Sequence, residues 1–189
     1  SLMRKCGELK KVVFASSYLV YDSSKYLSEK STQSVISLRE SDDLLARNLV
    51  GAAKLYHEYE LQFLRETGSG VYGVVCARIF RGYGMGSNCI ISRWIRQLIN
   101  GETISLYGKE ARFDYIYARD SAEGLLRLAA VDHAQGIFNL GTGKARRVSE
   151  VVDILAEYFP DMQIADALTN IDYEASQASM VKTSEAINW

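Results

Sequence analysis

Short apolar runs that end in small or polar residues constrain the fold of this chain most strongly. The first covers residues 12–15 and is followed by Ser16 and Ser17; others cover residues 71–80 and 136–140. These runs do not alternate apolar and polar residues, which is typical of strands covered on both faces in a parallel sheet. Because helix-like segments separate them, the order of elements predicts an α/β fold with a parallel sheet.

The longest helix is predicted over residues 42–65, where apolar side chains recur every three or four positions. They are Leu45, Leu49, Ala52, Tyr56, Tyr59 and Phe63. Lys54 lies one turn after Val50, so the two side chains share a face, and Gly51 beside them would allow another segment to approach closely. Taken alone, Lys54 is better interpreted as a solvated lysine, because lysine is rarely buried.

The remaining segments predict shorter elements. Helices are expected at residues 90–100, 121–131 (capped by Asp120) and 148–159 (ended by Pro160), and strands at 103–107, 113–118 and, weakly, 162–165. Residues 21–43 are polar and predict a surface loop, and residues 166–189 predict irregular chain. Residues 1–7 have the pattern of a helix end, so the chain is expected to begin inside an element.

Composition excludes several classes of function. The chain has 189 residues, enough for one domain or one domain with a small lobe. Its net charge of −1 favours neither nucleic acid nor an acidic membrane surface as a partner. The cysteines, Cys6, Cys76 and Cys89, are odd in number and lack metal-ligand spacing, so we interpret them as reduced thiols of a cytoplasmic protein. His57 and His133 are far apart, and no metal site is expected.

Possible ligand-binding positions follow the predicted strands. Ser16 and Ser17 come at the carboxyl end of a strand, where ligands bind in open α/β sheets, although serines are equally common where a chain simply turns. Glycine-rich loops follow at residues 82–86 and 141–143, and such loops either admit a ligand close to the backbone or serve as plain turns.

Several separated motifs agree with one family. They are residues 12–17 with Val20-Tyr21, residues 51–54 with Glu58, residues 78–80 with Tyr83-Gly84, residues 106–108, residues 114–117 with Asp120, and residues 138–143. In this order and spacing, over residues 10–155, the chain resembles the extended short-chain dehydrogenases, the NAD-dependent epimerase/dehydratase group that acts on nucleotide sugars. The motifs are specific for the superfamily but not for one substrate.

The resemblance implies an incomplete Rossmann-like parallel sheet with a small carboxyl-terminal substrate-binding lobe. Residues 1–80 and 113–140 would form the sheet core, and residues 81–112 and 141–189 the lobe. The family begins with a GxxGxxG segment that cradles the NAD pyrophosphate at a helix start, and this sequence contains none. The chain therefore resembles the carboxyl-terminal part of a family member, and without further strands the strand ending at Ser17 would be an exposed sheet edge.

The resemblance also implies the catalytic residues. Family members use a Ser or Thr, a Tyr as general acid/base, and a Lys that lowers the pKa of the Tyr and holds the nicotinamide ribose. Ser17 and Lys54 occupy the Ser and Lys positions, whereas the Tyr position holds Val50, which cannot transfer a proton. The pairs Tyr21/Lys25 and Tyr26/Lys30 have the same Y-x-x-x-K spacing but lie outside the long helix.

Binding residues follow from the same comparison. NAD would contact Ser16, Lys54 and Phe80, and the nucleotide sugar would contact Arg81, Asn88, Tyr107 and Arg112. Arg81 replaces a usual Asn and either grips a diphosphate or is a solvated loop arginine. Phe113 replaces a frequent Arg. Asp114 and Asp120 are expected to be structural.

Different functions remain open at this point. The chain could belong to an active NAD-dependent epimerase/dehydratase with another acid/base, to a nucleotide-sugar or dinucleotide-binding module that has lost catalysis, which Val50 favours, or to a structural lobe of a longer protein. The resemblance further implies a homodimer formed through the long helix.

Overall fold

The computed structural model describes residues 9–29, 34–67, 72–167 and 173–189. The predicted helix end at residues 1–7 lies outside them. The strands are β1 (Lys11–Ser17), β2 (Leu27–Ser28), β3 (Ile36–Leu38), β4 (Gly73–Ile79), β5 (Arg81–Tyr83), β6 (Ile104–Leu106), β7 (Arg112–Tyr117), β8 (Gly136–Leu140), β9 (Ala145–Arg147), β10 (Ile164–Asp166) and β11 (Tyr173–Ala178). The α-helices are α1 (Leu49–Thr67), α2 (Ile90–Ile99), α3 (Ala118–Ala130), α4 (Val148–Tyr158) and α5 (Val181–Ile187).

The apolar runs form one parallel sheet, as the sequence predicts. Its order is β1-β4-β8, and β1 and β8 are its edge strands among the described residues. The central strand β4 is covered on both faces: Leu61 of α1 packs against Val74 and Cys76, and Leu128 of α3 lies in a cluster with Val75 and Ala77. This two-sided cover explains why the run is continuously apolar instead of alternating.

A second sheet follows the order β2-β11-β7-β5, with β3 also paired to β11 and β9 to β7. Its β11, followed by α5, shows that the expectation of irregular chain at residues 166–189 is wrong. The strand was not recognisable because its buried side chains include Glu174 and Ser176, which are polar. The predicted division of the chain places residues 113–117 with the sheet core, whereas they pair here with β5, β9 and β11.

The predicted surface loop at residues 21–43 is largely wrong. Tyr21, Tyr26 and Leu38 are buried, and β2 and β3 both pair with β11. This segment gave no periodic signal because its burial depends on strands more than a hundred positions away. Leu27 and Leu38 pair with β11, and Tyr21 donates to Asn139 of β8.

The long helix begins at Leu49, not at residue 42. The backbone N–H of Gly51 donates to the Asn48 side chain at 3.0 Å, which caps the helix. Before the helix, the backbone N–H of Arg47 donates to the Leu19 carbonyl at 2.9 Å. The residues just before Leu49 are therefore bound to the segment that follows β1 and are not helical. Helix α3 likewise begins at Ala118, which places Asp120 inside the first turn and not at the cap.

The remaining elements form a strand pair and a helical cluster. Strands β6 and β10 form a parallel pair. Helices α2 and α4 enclose a cluster around Trp94, with Ile91, Val151 and Leu155 among its members. Strand β10 covers residues 164–166, close to the weak strand predicted at residues 162–165.

Candidate functional site

Helix α1 carries Lys54 to the carboxyl end of β1. The Lys54 ammonium donates a hydrogen bond to the Ala15 carbonyl at 2.7 Å and lies 5.0 Å from the centre of the Phe14 ring. Its side chain is half-buried. The interpretation of Lys54 as a freely solvated lysine is therefore wrong, and its charge lies two residues from Ser17 along β1.

Gly51 permits this close approach of helix and strand. A Cβ atom at Gly51 would lie 2.3 Å from the Leu19 carbonyl oxygen, well inside van der Waals contact. The prediction that small residues on α1 allow a close neighbour is confirmed at this position. The neighbour is the short 3₁₀ turn Tyr18–Val20 that follows Ser17.

The paired serines have different partners. Ser16 is buried and donates to Glu58 of α1 at 2.5 Å. The Ser17 hydroxyl accepts from the backbone N–H of Leu19 at 3.3 Å and is half-buried. Side chains alternate along a strand, so Ser16 points towards α1 and Ser17 points away from it. No hydrogen bond joins Ser17 to Lys54 in the part of the chain that is described.

The Tyr position offers no proton-transfer group. Val50 is 57% exposed on α1. The alternative tyrosines are parts of the core: Tyr21 donates to Asn139 at 2.6 Å, and Tyr26 is 3% exposed. Lys25 forms an exposed ion pair with Asp43 at 2.6 Å, and Lys30 lies outside the described residues. Tyr21 and Lys25 therefore have separate partners and do not form an acid/base couple.

Phe80 and Arg81 lie next to the end of β1. Phe80 is buried and stacks on Tyr18 with ring centres 5.1 Å apart. The Arg81 guanidinium lies 4.2 Å from the centre of the Phe113 ring and pairs with Glu174 at 3.4 Å. Arg81 thus has partners on both sides, and 39% of its side chain remains exposed to solvent.

The other residues predicted to bind the sugar nucleotide form no hydrogen bond or ion pair with Arg81 in the described part of the chain. Asn88 and Tyr107 are exposed. Arg112 precedes Phe113 on β7, so its side chain points to the opposite face of the sheet from the ring beneath Arg81. The structure therefore brings Arg81 to Phe113 and Glu174, and it places Arg112 elsewhere.

A buried acid shared by arginines was not predicted from the sequence. Glu174 is 2% exposed and accepts hydrogen bonds from Arg47 and Arg81. Beside it, burial and then the negative charge of Glu174 raise the pKa of Tyr18. Tyr18 follows the predicted catalytic Ser17 directly, but its phenol is kept protonated, which makes it a poor general base.

Asp114 is structural, as expected. It accepts hydrogen bonds from the backbone N–H groups of Thr142, Gly143 and Ala178 at 2.8, 2.9 and 3.0 Å. It thus fixes the loop at residues 141–143 against β7 and β11. Because the N–H groups of Thr142 and Gly143 already donate to Asp114, they are not free to bind a ligand.

Within the described segments, no group of three or more His, Cys, Asp or Glu side chains is arranged to bind a metal ion. In the same segments, none of the helices has the length and apolar character needed to cross a bilayer.

Comparison with known protein families identifies the family to which this chain is similar. The model of the NAD dependent epimerase/dehydratase family matches residues 1–141.

Solved structures agree with the fold over the whole chain. MoeE5 in complex with UDP-glucose and NAD is 28% identical, with a TM-score of 0.82 over 100% of this chain and 62% of that one. The UDP-N-acetylglucosamine 4-epimerase from Methanobrevibacter ruminantium M1, in complex with UDP-N-acetylmuramic acid, is 24% identical, with a TM-score of 0.77 over 100% of this chain and 59% of that one. RMD from Pseudomonas aeruginosa, complexed with NADPH, is 19% identical, with a TM-score of 0.83 over 99% of this chain and 63% of that one. The chain thus spans less than two thirds of the length of each.

Proposed function

The chain belongs to the NAD-dependent epimerase/dehydratase family, and we propose that the whole protein acts on a nucleotide sugar with NAD as the hydride acceptor. The observation that carries the proposal is the position of Lys54, whose ammonium lies 2.7 Å from the Ala15 carbonyl at the end of β1. The same end of β1 carries Ser17, which supports the family's Ser and Lys roles for these two residues. The structure of MoeE5 with UDP-glucose and NAD supports both ligand classes.

The residues present fit one part of NAD. The Lys54 ammonium is half-buried and bonded to a single backbone carbonyl, so donors remain for the hydroxyls of a nicotinamide ribose. When bound, NAD supplies the hydride chemistry. Ser17 would orient the sugar hydroxyl, and Arg81, paired with Glu174, would face the sugar nucleotide from the second sheet. Ser16 has a weaker role in this proposal, since Glu58 already accepts its hydroxyl proton.

A specific observation favours a second function, a binding module without catalysis. Val50 stands where the family has its acid/base, and in the described part of the chain no phenol hydroxyl is hydrogen-bonded to Lys54. Under this alternative, NAD and a nucleotide sugar would still bind, but no hydroxyl proton would be removed.

The experiment that tests the proposal compares the wild type with Val50→Tyr and a matched Val50→Phe control, in the longest natural form of the protein. NAD binding is measured by calorimetry, and reduction of NAD with UDP-glucose or UDP-glucuronic acid is measured by absorbance. Turnover by the wild type supports the enzyme. Binding without turnover, with activity gained only in Val50→Tyr, supports the binding module. If the wild type does not bind NAD, or if Lys54→Met leaves NAD affinity unchanged, the proposed site is wrong.

Assembly and location are part of the proposal. Helix α1 exposes an apolar stripe in which Leu49, Tyr56, Tyr59 and Phe63 are 89%, 65%, 56% and 63% exposed. Four large apolar side chains exposed along one helix are typical of a protein–protein contact, and they support a homodimer through α1. Cys76 and Cys89 are free thiols, which supports a cytoplasmic location.

A further inference from the structure

Two arginines lie directly opposite each other in the second sheet. Arg112 of β7 and Arg147 of β9 are partners in the antiparallel register. Side chains opposite each other in such a pair are about 5 Å apart at Cβ, and like charges in this arrangement destabilise the sheet. Both side chains are half-buried, so solvent screens their repulsion only in part.

The hydrogen bonding of both arginines is incomplete within the described residues. The Nε atoms of Arg112 and Arg147 are buried without a hydrogen-bond partner, and no acidic side chain of the described residues forms an ion pair with either. A buried donor without a partner destabilises the folded state, because its hydrogen bond to water is lost and not replaced. Asp114 shares the Arg112 face of β7, but its carboxylate is taken up by the backbone N–H groups of Thr142, Gly143 and Ala178.

The helix that follows adds to the positive potential. Arg147 is the N-cap residue of α4 and makes no side-chain capping hydrogen bond. Helix N-termini carry a partial positive charge and ordinarily favour acidic or neutral residues at this position. The backbone N–H groups of Val148 and Ser149 already donate to the carbonyls of Ala111 and Lys109, so the helix contributes its dipole and not free donors. The paired guanidinium groups would therefore supply the hydrogen bonds to an anion.

We propose that Arg112 and Arg147 form a binding site for a phosphoryl dianion. A dianion would neutralise both guanidinium groups, and its oxygens could accept from each planar fork, whereas a single carboxylate would supply only one of the two negative charges. The site lies on the face of β7 opposite Phe113 and Arg81, so it goes beyond the proposed nucleotide-sugar site. The proposal also gives a role to Arg112. The sequence predicts that Arg112 binds substrate, but in the structure its side chain points to the opposite face of β7 from Arg81.

The test uses the chain labelled with ¹⁵N and titrated with inorganic phosphate, with sodium chloride of matched ionic strength as reference. Buried Nε–H groups exchange slowly, so Arg112 and Arg147 can report binding through their own signals. We expect saturable shifts of both Nε–H signals with phosphate and not with chloride. A parallel titration with ribose 5-phosphate shows whether a free anion or an organic phosphomonoester binds more tightly, and saturation with either supports the site.

Variants locate the binding. Arg112→Gln and Arg147→Gln should each weaken phosphate binding about tenfold or more, the loss expected for charge-assisted hydrogen bonds. Arg146→Gln is the matched control, since Arg146 is the neighbouring residue of β9 but points to the other face. It should change the affinity less than about twofold. Equal weakening in all variants, or shifts that do not saturate, would overturn the proposal. If the glutamine variants do not fold, the wild-type titration alone decides.

Discussion

Arg78 of β4 binds Glu58 of α1 through two hydrogen bonds, from Nε to Oε1 at 3.1 Å and from Nη2 to Oε2 at 2.7 Å. The side chains are 2% and 4% exposed, so the ion pair is almost completely removed from water. Glu58 lies one helical turn after Lys54, and Ser16 donates to the same carboxylate. This buried pair therefore fixes the distance of α1 from both β1 and β4 and positions Lys54.

Removing one partner should be strongly destabilising. Glu58→Gln leaves the Arg78 charge buried without compensation, and we expect the free energy of unfolding to fall by about 3–5 kcal/mol. Replacing both residues, as in Glu58→Leu with Arg78→Met, should restore much of the loss because no buried charge is left. Urea unfolding followed by circular dichroism measures both effects.

The exposed pair of Glu123 and Arg127 on α3 is the matched control. Both side chains are nearly half exposed, and Glu123→Gln should cost less than about 1 kcal/mol. A loss in Glu58→Gln no larger than that of the control would show that the buried pair does not hold α1 in place.

The sequence predicted those parts of the fold that depend on local pattern. The runs ending at Ser17 and Leu140 were recognisable because strands covered on both faces contain few polar residues. Glu58 and Arg78 could not be paired in advance, since each is a charged residue whose partner is decided by tertiary packing. The only local signal was a charged residue, Arg78, within an otherwise apolar strand, which requires a buried partner. Strand β11 was missed because Glu174 and Ser176 are polar yet buried.

The candidate site was predicted in part for a similar reason. Motif spacing indicated Lys54 and Gly51, and both lie against the end of β1. Motif spacing does not predict, however, which face of a strand a side chain occupies. A shift of one residue along β7 turns a side chain to the other face, which separates Arg112 from Arg81.

Gly51 is predicted to be irreplaceable by alanine. The added Cβ would lie 2.3 Å from the Leu19 carbonyl oxygen, so α1 must move away from β1. We expect Gly51→Ala to lower the free energy of unfolding by about 1–3 kcal/mol, as overpacking does. Gly82→Ala is the control, because a Cβ there meets no atom within 4 Å, and it should remain within about 0.5 kcal/mol of the wild type in the same urea experiment. Similar stabilities of the two variants would contradict the close contact.

Alkaline pH should unfold the protein through its buried tyrosines. Burial raises the pKa of Tyr21 to about 12, although the nearby Arg78 acts to lower it, and burial likewise raises the pKa of Tyr26 to about 12. Since the folded-state pKa lies above the unfolded value of about 10, this stability is fully present below pH 10 and is lost as pH rises to about 12. We expect each of these tyrosines to contribute a decrease of about 1 kcal/mol between pH 10 and pH 11 in urea unfolding.

Substitution shows which tyrosines cause the loss of stability at alkaline pH. Tyr21→Phe should reduce the pH dependence between pH 10 and 12, although it also removes the hydrogen bond to Asn139 and lowers stability at neutral pH. Tyr158→Phe is the control, because this side chain is 75% exposed. A free energy of unfolding that does not change up to pH 11 would contradict the assignment.

The exposed stripe on α1 is predicted to disappear from solvent in a dimer. Tyr56 and Phe63 are 65% and 63% exposed and lie on one side of the helix, two turns apart. If they form the contact between two copies, Tyr56→Asp and Phe63→Asp bury a charge there and should shift the protein from dimer to monomer at micromolar concentration, as measured by light scattering during size-exclusion chromatography. Leu126→Asp, at an equally exposed apolar position on α3, should leave the mass unchanged. A wild type that is monomeric at these concentrations, or a dimer that Leu126→Asp dissociates as readily as the α1 variants, would exclude this surface as the dimer contact.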